Sequence, residues 1–288
     1  MEKLDISAWN GPFTAGVTDR AVAALENGDI LYTPGLPFKI HGSEQRFLSP
    51  TYLSGESKNI SFNWRTGVLG GTACEGAERD ELTAMIRRFS EQSIALMQRL
   101  CPDYAETMEQ GLTSFRPAEI AGRVSSWRKD DTRLHIDAFP SRPNQGRRIL
   151  RFFANVNPST ERLWRAGEPF ERAAAALLPR VKPPFPGSLA LLPILKITKG
   201  RRTLYDHYML GLHDAMKEDS RYQAEVSQTE IAFPAGATWA CFTDAVSHAA
   251  MSGQHAFEQT FYLPVSAMRN PALSPLRVLE RQLRKPLV

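Results

Sequence analysis

The sequence predicts an α+β fold, a mainly β core with helices, in one domain over residues 1–288. Helical patterns open the chain and strand patterns follow; a helical, proline-rich stretch spans 159–230, and strands return after it. That order suits one sheet-based core with N-terminal helices and a helical insertion better than the repeated βαβ units of a parallel sheet. No Gly-x-Gly-x-x-Gly or phosphate-loop motif occurs, so a nucleotide-binding fold has little support.

The elements read off in order. "RAVAALENGDILYTP" is a short helix closed by Asn27-Gly28, then a strand from Ile30 to Tyr32. In "DELTAMIRRFSEQSIALMQRLCP" the residues Leu82, Met85, Ile86, Phe89, Ile94, Met97 and Leu100 recur near the 3.6 period, and Pro102 stops the helix. "AGRVSSWRKDDTRLHIDAFP" reads as a strand, a charged turn and a second strand, and "RRILRFFANVNP" as a strand ended by Asn157-Pro158. Within 159–230, "EPFERAAAALLPRV" and "TLYDHYMLGLHDAMKED" are helical, and "PPFPGSLALLP" is a loop and apolar crossing. "ATWACFTDAV", "SHAAMSG" and "HAFEQTFYLPV" are strands again.

A composition of 42% hydrophobic and 23% charged residues is that of a soluble globular protein. The N-terminus lacks a basic-then-apolar signal pattern and no window approaches a membrane span, so a cytoplasmic location is expected. Cys74, Cys101 and Cys241 are too scattered for a disulfide framework or a zinc ribbon, and read as buried free thiols. The net charge of +4 favours an anionic partner. The basic clusters lack the interleaved aromatics of a single-strand platform, so no nucleic-acid partner is expected.

The candidate chemistry begins at "TRLHIDAFPS". In an extended strand residues i and i+2 share a face, so His135 and Asp137 would aim at one point while Leu134, Ile136 and Ala138 pack behind. A first-row metal would accept both groups, although two unrelated core residues give the same triplet. A second histidine, His248, stands 111 residues beyond Asp137 in "TWACFTDAVSHAAMSG", between a turn and Gly253.

This turn-strand-His-Gly context resembles the distal half of the double-stranded β-helix (jelly-roll, cupin-like) of iron(II)- and 2-oxoglutarate-dependent oxygenases. Three blocks, "LHIDAFPSRPNQGRRILRFFANVNP", "YDHYMLGLHDAMKED" and "WACFTDAVSHAAMSGQHAFEQTF", are similar to the bacterial Kdo hydroxylase family, Kdo being 3-deoxy-D-manno-oct-2-ulosonic acid. The resemblance runs from about Asp29 to Val265. It implies that His135, Asp137 and His248 form the catalytic facial triad for Fe(II), with 2-oxoglutarate as cosubstrate, O2 as oxidant and ascorbate as a supportive reductant. It further implies hydroxylation at carbon 3 of a Kdo residue in the lipid A–inner core of lipopolysaccharide, with release of succinate and CO2. The alternatives are the same chemistry on a protein or another small molecule, and a non-catalytic metal-bearing sugar-binding barrel.

Such enzymes need a cation for the distal carboxylate of 2-oxoglutarate. Many carry an arginine about ten residues after the distal histidine; here Glu258 and Gln259 stand there. In "RRILRFFANVNP" the positions Leu150, Phe152, Ala154 and Val156 are apolar, whereas the other face includes Arg151, Phe153 and Asn155. An arginine centred on such a strand is expected to face a negative group, so Arg151 is the first candidate, with Asn155 as helper and Arg148 in reserve. A strand-end arginine reaching solvent is the alternative. Arg133, Arg142 and Arg147 are candidates for the anionic sugar and Trp127 for stacking on it; ordinary solvated arginines and a core tryptophan are the plainer readings.

His207 and His213 are six apart and do not align on a helix, so a packed helix is expected there rather than a second metal site. The tail "LSPLRVLERQLRKPLV", residues 273–288, is a basic amphipathic helix capped by Ser274. Its face of Leu276, Leu279, Leu283 and Leu287 would dock either on an anionic membrane surface, bringing the enzyme to a Kdo-containing lipid A precursor, or on the protein itself. The sequence leaves oligomeric state open.

Overall fold

The computed structural model describes every residue except Glu56 and Val124. In chain order, β1 (Glu2–Lys3), α1 (Ala15–Glu26) and β2 (Leu31–Thr33) are followed by the hairpin β3 (Ile60–Asn63) and β4 (Val68–Gly70). Helix α2 (Gly76–Leu100) precedes β5 (Glu109–Arg116), β6 (Arg148–Asn155) and β7 (Arg162–Ala166). Four helices come next: α3 (Phe170–Leu177), α4 (Ser188–Ile194), α5 (Leu204–Glu218) and α6 (Ser220–Glu225). The chain ends with β8 (Thr229–Phe233), β9 (Thr238–Phe242), β10 (His248–Ser252), β11 (Ala256–Leu263) and α7 (Pro275–Leu283).

Eight strands form one sheet in the order β1-β2-β9-β6-β11-β5-β3-β4, antiparallel except for the β1–β2 pair. A smaller antiparallel sheet has the order β10-β7-β8. The alternation read in "RRILRFFANVNP" decides what each face of the large sheet meets. Leu150 and Phe152 join Phe89 of α2 and Phe257 of β11 in the core beneath the helices, where Phe89 stacks on Phe257 at 4.7 Å. Phe153 points the other way, stacking on Trp239 at 5.2 Å and meeting Trp164 of the small sheet edge-on at 4.9 Å. The molecule is therefore layered as helices, large sheet and small sheet. No closed barrel forms among the described residues.

Most elements lie where the pattern put them. The α1 helix ends at Asn27 with Gly28 at a φ of +81°, and α2 buries the expected face from Leu82 to Leu100. Cys74, Cys101 and Cys241 are buried free thiols. Three readings need correction. The strand expected at the start of 121–140 falls partly on Val124, outside the described residues, and its described neighbours are turn and coil. The stretch 159–230, read as helical, contains β7, whose Arg162, Trp164 and Ala166 alternate with Leu163 and Arg165. In "PPFPGSLALLP", residues 183–193, read as a loop and apolar crossing, the residues from Ser188 onward form α4 on the surface with none of its residues buried.

The tail resolves in favour of the protein. Ser274 caps α7 by accepting from Arg277 N at 3.3 Å, as expected. Leu276, Leu279 and Leu287 are buried in the main core, and Leu287 O accepts from Tyr205 N of α5 at 3.1 Å. Leu283 is partly buried against the same core, so the leucine face packs on the protein. We predict that Leu279→Ala lowers the unfolding free energy by about 2–5 kcal/mol, the usual range for a buried leucine cavity, read from urea denaturation. A loss below about 0.5 kcal/mol is what a surface position gives and would contradict this packing.

Candidate metal centre

The His135–Asp137 segment is extended but belongs to neither sheet. It runs against the chain that links β9 to β10. His135 N donates to His248 O at 3.0 Å and His248 N donates to His135 O at 2.8 Å, an isolated antiparallel bridge. Two residues on, Asp137 N donates to Thr243 O at 2.8 Å. These backbone bonds bring the two histidines together, and the period of two then turns Asp137 to the same side. A donor atom from each of His135, Asp137 and His248 lies within 4.8 Å of the other two, and no other such group of three occurs among the described residues.

The hydrogen bonds around the imidazoles leave the right atoms free. Nδ1 of His135 is 2.8 Å from Arg133 O, and Nδ1 of His248 is 2.8 Å from Val246 O. A carbonyl only accepts, so each Nδ1 carries the proton and each Nε2 keeps its lone pair for the shared space. Burial holds His135 well below the usual imidazole range, with His248 and Lys217 adding to the effect. Burial also lowers His248, against the pull of Asp137. Burial opposes ionisation of Asp137, but the Arg151 guanidinium reverses this and holds the carboxyl below its ordinary value. Two neutral imidazoles and one carboxylate result.

Asp137 Oδ2 lies 3.1 Å from Arg151 Nε, yet the two are not aligned for a hydrogen bond and neither has another partner. A buried carboxylate oxygen with an uncommitted lone pair, beside two uncommitted imidazole nitrogens, fits a hard-to-borderline divalent cation. Trp164 stacks on the His248 ring at 5.1 Å and fixes its plane. His213 of α5 meets His135 edge-on at 5.7 Å and pairs with Asp214 at 2.9 Å, whereas His207 bonds the Lys182 carbonyl at 2.8 Å.

The cavity beside the triad, about 40 Å³ in volume, is walled by both sheets. Its charged lining is linked. Arg151 reaches Glu258 at 3.1 Å as well as Asp137; Glu258 is 3.0 Å from Arg116, and Arg116 is 3.9 Å from Asp131. Burial works against the Arg151 charge, but Asp137 and Glu258 outweigh it. Arg162 is different. It donates from Nη1 to Gly253 O at 3.0 Å, its Nε has no partner, and no carboxylate pairs with it among the described residues. Burial, aided by Arg116, pushes its pKa down to about 10. Gly253 has a φ of +107°, and a Cβ there would lie 3.0 Å from Arg162 Cα, which is why a glycine closes β10.

Arg151 is thus in the cavity, as the strand pattern indicated. Asn155 shares its face, but its amide is spent on the turn: it donates to Thr160 O and Phe233 O at 3.0 Å and to Pro234 O at 3.1 Å. Arg148 points to the opposite face and is locked in a bidentate pair with Asp244 at 2.8 and 3.1 Å, so it is unavailable to a cosubstrate. Arg133, Arg142, Arg147 and Trp127 do not line the cavity. Arg133 pairs with Asp130 at 3.4 Å, Arg147 with Glu109 at 2.8 Å, and Arg128 covers one face of Trp127 at 4.1 Å, while Arg142 stays exposed. Sequence reading missed Arg116, Arg162 and Trp164. The alternation of Arg162 with Trp164 was the available signal, hidden by reading that stretch as helical.

The sequence matches the family described as 3-deoxy-D-manno-oct-2-ulosonic acid (Kdo) hydroxylase over residues 8–286. No curated protein matches it. Among solved structures it is similar to the Kdo hydroxylase KdoO, described as a non-heme Fe(II) alphaketoglutarate-dependent dioxygenase. The complex of KdoO with alphaketoglutarate and Fe(III) is 46% identical with a TM-score of 0.96, covering 99% of this chain and 96% of that one. The cobalt(II) complex is 47% identical with a TM-score of 0.97 and the same coverage; the complex with succinate and Fe(III) is 46% identical at 0.96. With nearly the whole length matched and a buried His-Asp-His centre in place, this chain belongs to the Kdo hydroxylase family.

Proposed function

We propose that this protein is an Fe(II)- and 2-oxoglutarate-dependent dioxygenase that hydroxylates carbon 3 of a Kdo residue in the lipid A–inner core of lipopolysaccharide. The observation that carries the reading is the meeting of His135, Asp137 and His248 beside a buried arginine, Arg162, that pairs with no carboxylate among the described residues. One domain over 1–288, with its two facing sheets as the halves of a jelly-roll, is the matching architectural reading.

The charges support this cosubstrate. Arg116, Arg151 and Arg162 are offset by Asp131, Asp137 and Glu258, so the lining is neutral overall. A divalent metal leaves an excess of two positive charges, and a 2-oxoglutarate dianion cancels them. Enclosure then costs less than burying either ion alone. In this reading Nε2 of His135, Nε2 of His248 and a carboxylate oxygen of Asp137 hold the iron. Arg162 and Arg151 bind the distal carboxylate, and Trp164 and Phe153 keep water from that end of the pocket. When bound, iron with 2-oxoglutarate and O2 supplies the oxidant for a C–H bond, leaving succinate and CO2. The remaining task of the chain is to hold the sugar's C3 methylene against that face. Of Arg133, Arg142, Arg147 and Trp127, only Arg142 is exposed, and in this reading it is the candidate to meet the Kdo carboxylate.

Mass spectrometry of lipopolysaccharide sugars from cells with and without the protein tests the substrate: Kdo should gain one oxygen atom only when the protein is present. Gain on another molecule, with Kdo untouched, would redirect the reading. We predict that His248→Ala and His135→Ala lose iron binding and iron-dependent succinate formation while keeping the wild-type circular dichroism spectrum; retained turnover in either would contradict the triad.

For 2-oxoglutarate, Arg162→Leu should weaken affinity by about thirty-fold or more, the loss expected for a buried charge-assisted contact of about 2–5 kcal/mol. Arg151→Leu should weaken both 2-oxoglutarate and iron, because Asp137 loses its cation. Arg148→Leu should leave 2-oxoglutarate affinity unchanged yet cost about 3–5 kcal/mol of stability, because Asp244 is left buried and unpaired. Calorimetric titration on the three variants separates these outcomes.

A further inference from the structure

The helical segment between β7 and β8 carries the most unusual surface of the molecule. Phe185 is 85% exposed, Ile194 72% and Leu195 63%, with Leu191 and Ile197 more than half exposed. A soluble surface tolerates single apolar residues, but five large ones within thirteen positions form a patch that needs a partner. From Arg172 to Tyr205 the sequence contains no acidic residue, while Lys182, Lys196, Lys199 and Arg201 stand exposed around the apolar side chains. Apolar side chains ringed by cations match an anionic bilayer surface, whose acyl boundary takes the former and whose headgroups take the latter.

The segment is not a loose appendage. Lys199 N donates to Ser141 O at 2.8 Å, Gln145 Nε2 donates to Arg201 O at 3.0 Å, and Arg202 donates to Pro140 O. Asp206, at the start of α5, accepts from the backbone N of Asn144 and Gln145 at 2.9 Å each. The patch is thus fastened to the loop 140–145 that leaves the metal ligand Asp137. Ser141 lies four positions beyond Asp137, a reach of at most about 14 Å of backbone.

We propose that residues 183–201 dock this protein on an anionic lipid bilayer, with the apolar side chains of the α4 segment in the interface and its lysines and Arg201 on the headgroups. The docked segment holds the metal centre within sugar-headgroup distance of the surface. This gives the lipid-linked substrate of the proposed function a route to the site, and that link, though not the docking itself, rests on that reading. The C-terminal helix takes no part, because Leu276, Leu279 and Leu287 are buried in the core.

Co-sedimentation with vesicles of phosphatidylglycerol and phosphatidylethanolamine, against vesicles of phosphatidylcholine alone, tests the docking without any turnover. The wild-type protein should partition to the anionic vesicles, and less so as salt rises past the point where the Debye length falls below about 8 Å. Phe185→Ser combined with Ile194→Ser and Leu195→Ser should reduce that partition by about tenfold or more. Lys182→Gln with Lys196→Gln should abolish the preference for anionic vesicles. Both variants should keep the wild-type melting temperature and the wild-type rate of succinate formation uncoupled from Kdo. Loss of that rate in the wild-type protein would count against the proposed function and leave the docking standing. The proposal is overturned if the wild-type protein ignores anionic vesicles, if the serine variant binds them equally well, or if light scattering shows that the serine substitutions split a stable dimer, which would make the patch a contact between copies.

Discussion

The reciprocal backbone hydrogen bonds between His135 and His248 are the constraint on which the rest of the centre depends. His135 belongs to no sheet and is held by His248, which is itself the first residue of β10 in the small sheet, paired with Ala166 of β7. The bridge sets the distance between the imidazoles, the extended backbone sets Asp137 on the same side, and the carbonyls of Arg133 and Val246 set the tautomers. Every one of these determinants is backbone geometry. The three donor groups therefore stay together in a site whose side chains would repel one another if the histidines were charged, and burial keeps them neutral.

The dry space between the sheets imposes a second condition, that buried charge be balanced locally. The large sheet meets it with separate pairs on its two faces. On the helix side Arg148 and Asp244 form a closed unit with nothing left to bind. On the side facing the small sheet the chain Asp137, Arg151, Glu258, Arg116 and Asp131 is continuous, and Arg162 stands next to it with no carboxylate paired to it among the described residues. Adjacent arginines of one sequence stretch thus have opposite fates: one is spent on the fold, the other is held at the site. Strand parity separates them, since 148 and 151 differ by an odd number.

The helices between β7 and β8 are best understood by what they touch. Helix α5 brings His213 against His135, and Asp206 clamps the loop that follows Asp137. The same segment leaves α4 uncovered. Contact with the His-Asp-His centre and exposure away from it thus belong to one continuous piece of chain.

Local sequence determined much of this protein. The 3.6 period marked α2 through Leu82, Phe89 and Leu100, the period of two marked β6, and the His135-Ile136-Asp137 triplet with His248 marked the three residues that meet in the buried His-Asp-His centre. These signals are legible because they depend on residues a few positions apart on one element. What the sequence left undecided required knowing what lies opposite. Arg116 and Arg162 reach the site from strands separated by 46 positions, and only the pairing of β11 with β5 and the facing of two sheets bring them together. The leucines of α7 and the aliphatics of α4 carry the same kind of apolar signal, yet the first pack in the core and the second face outward. An amphipathic pattern states that a face avoids water; whether protein or lipid covers it is decided by the space that the rest of the chain leaves beside it.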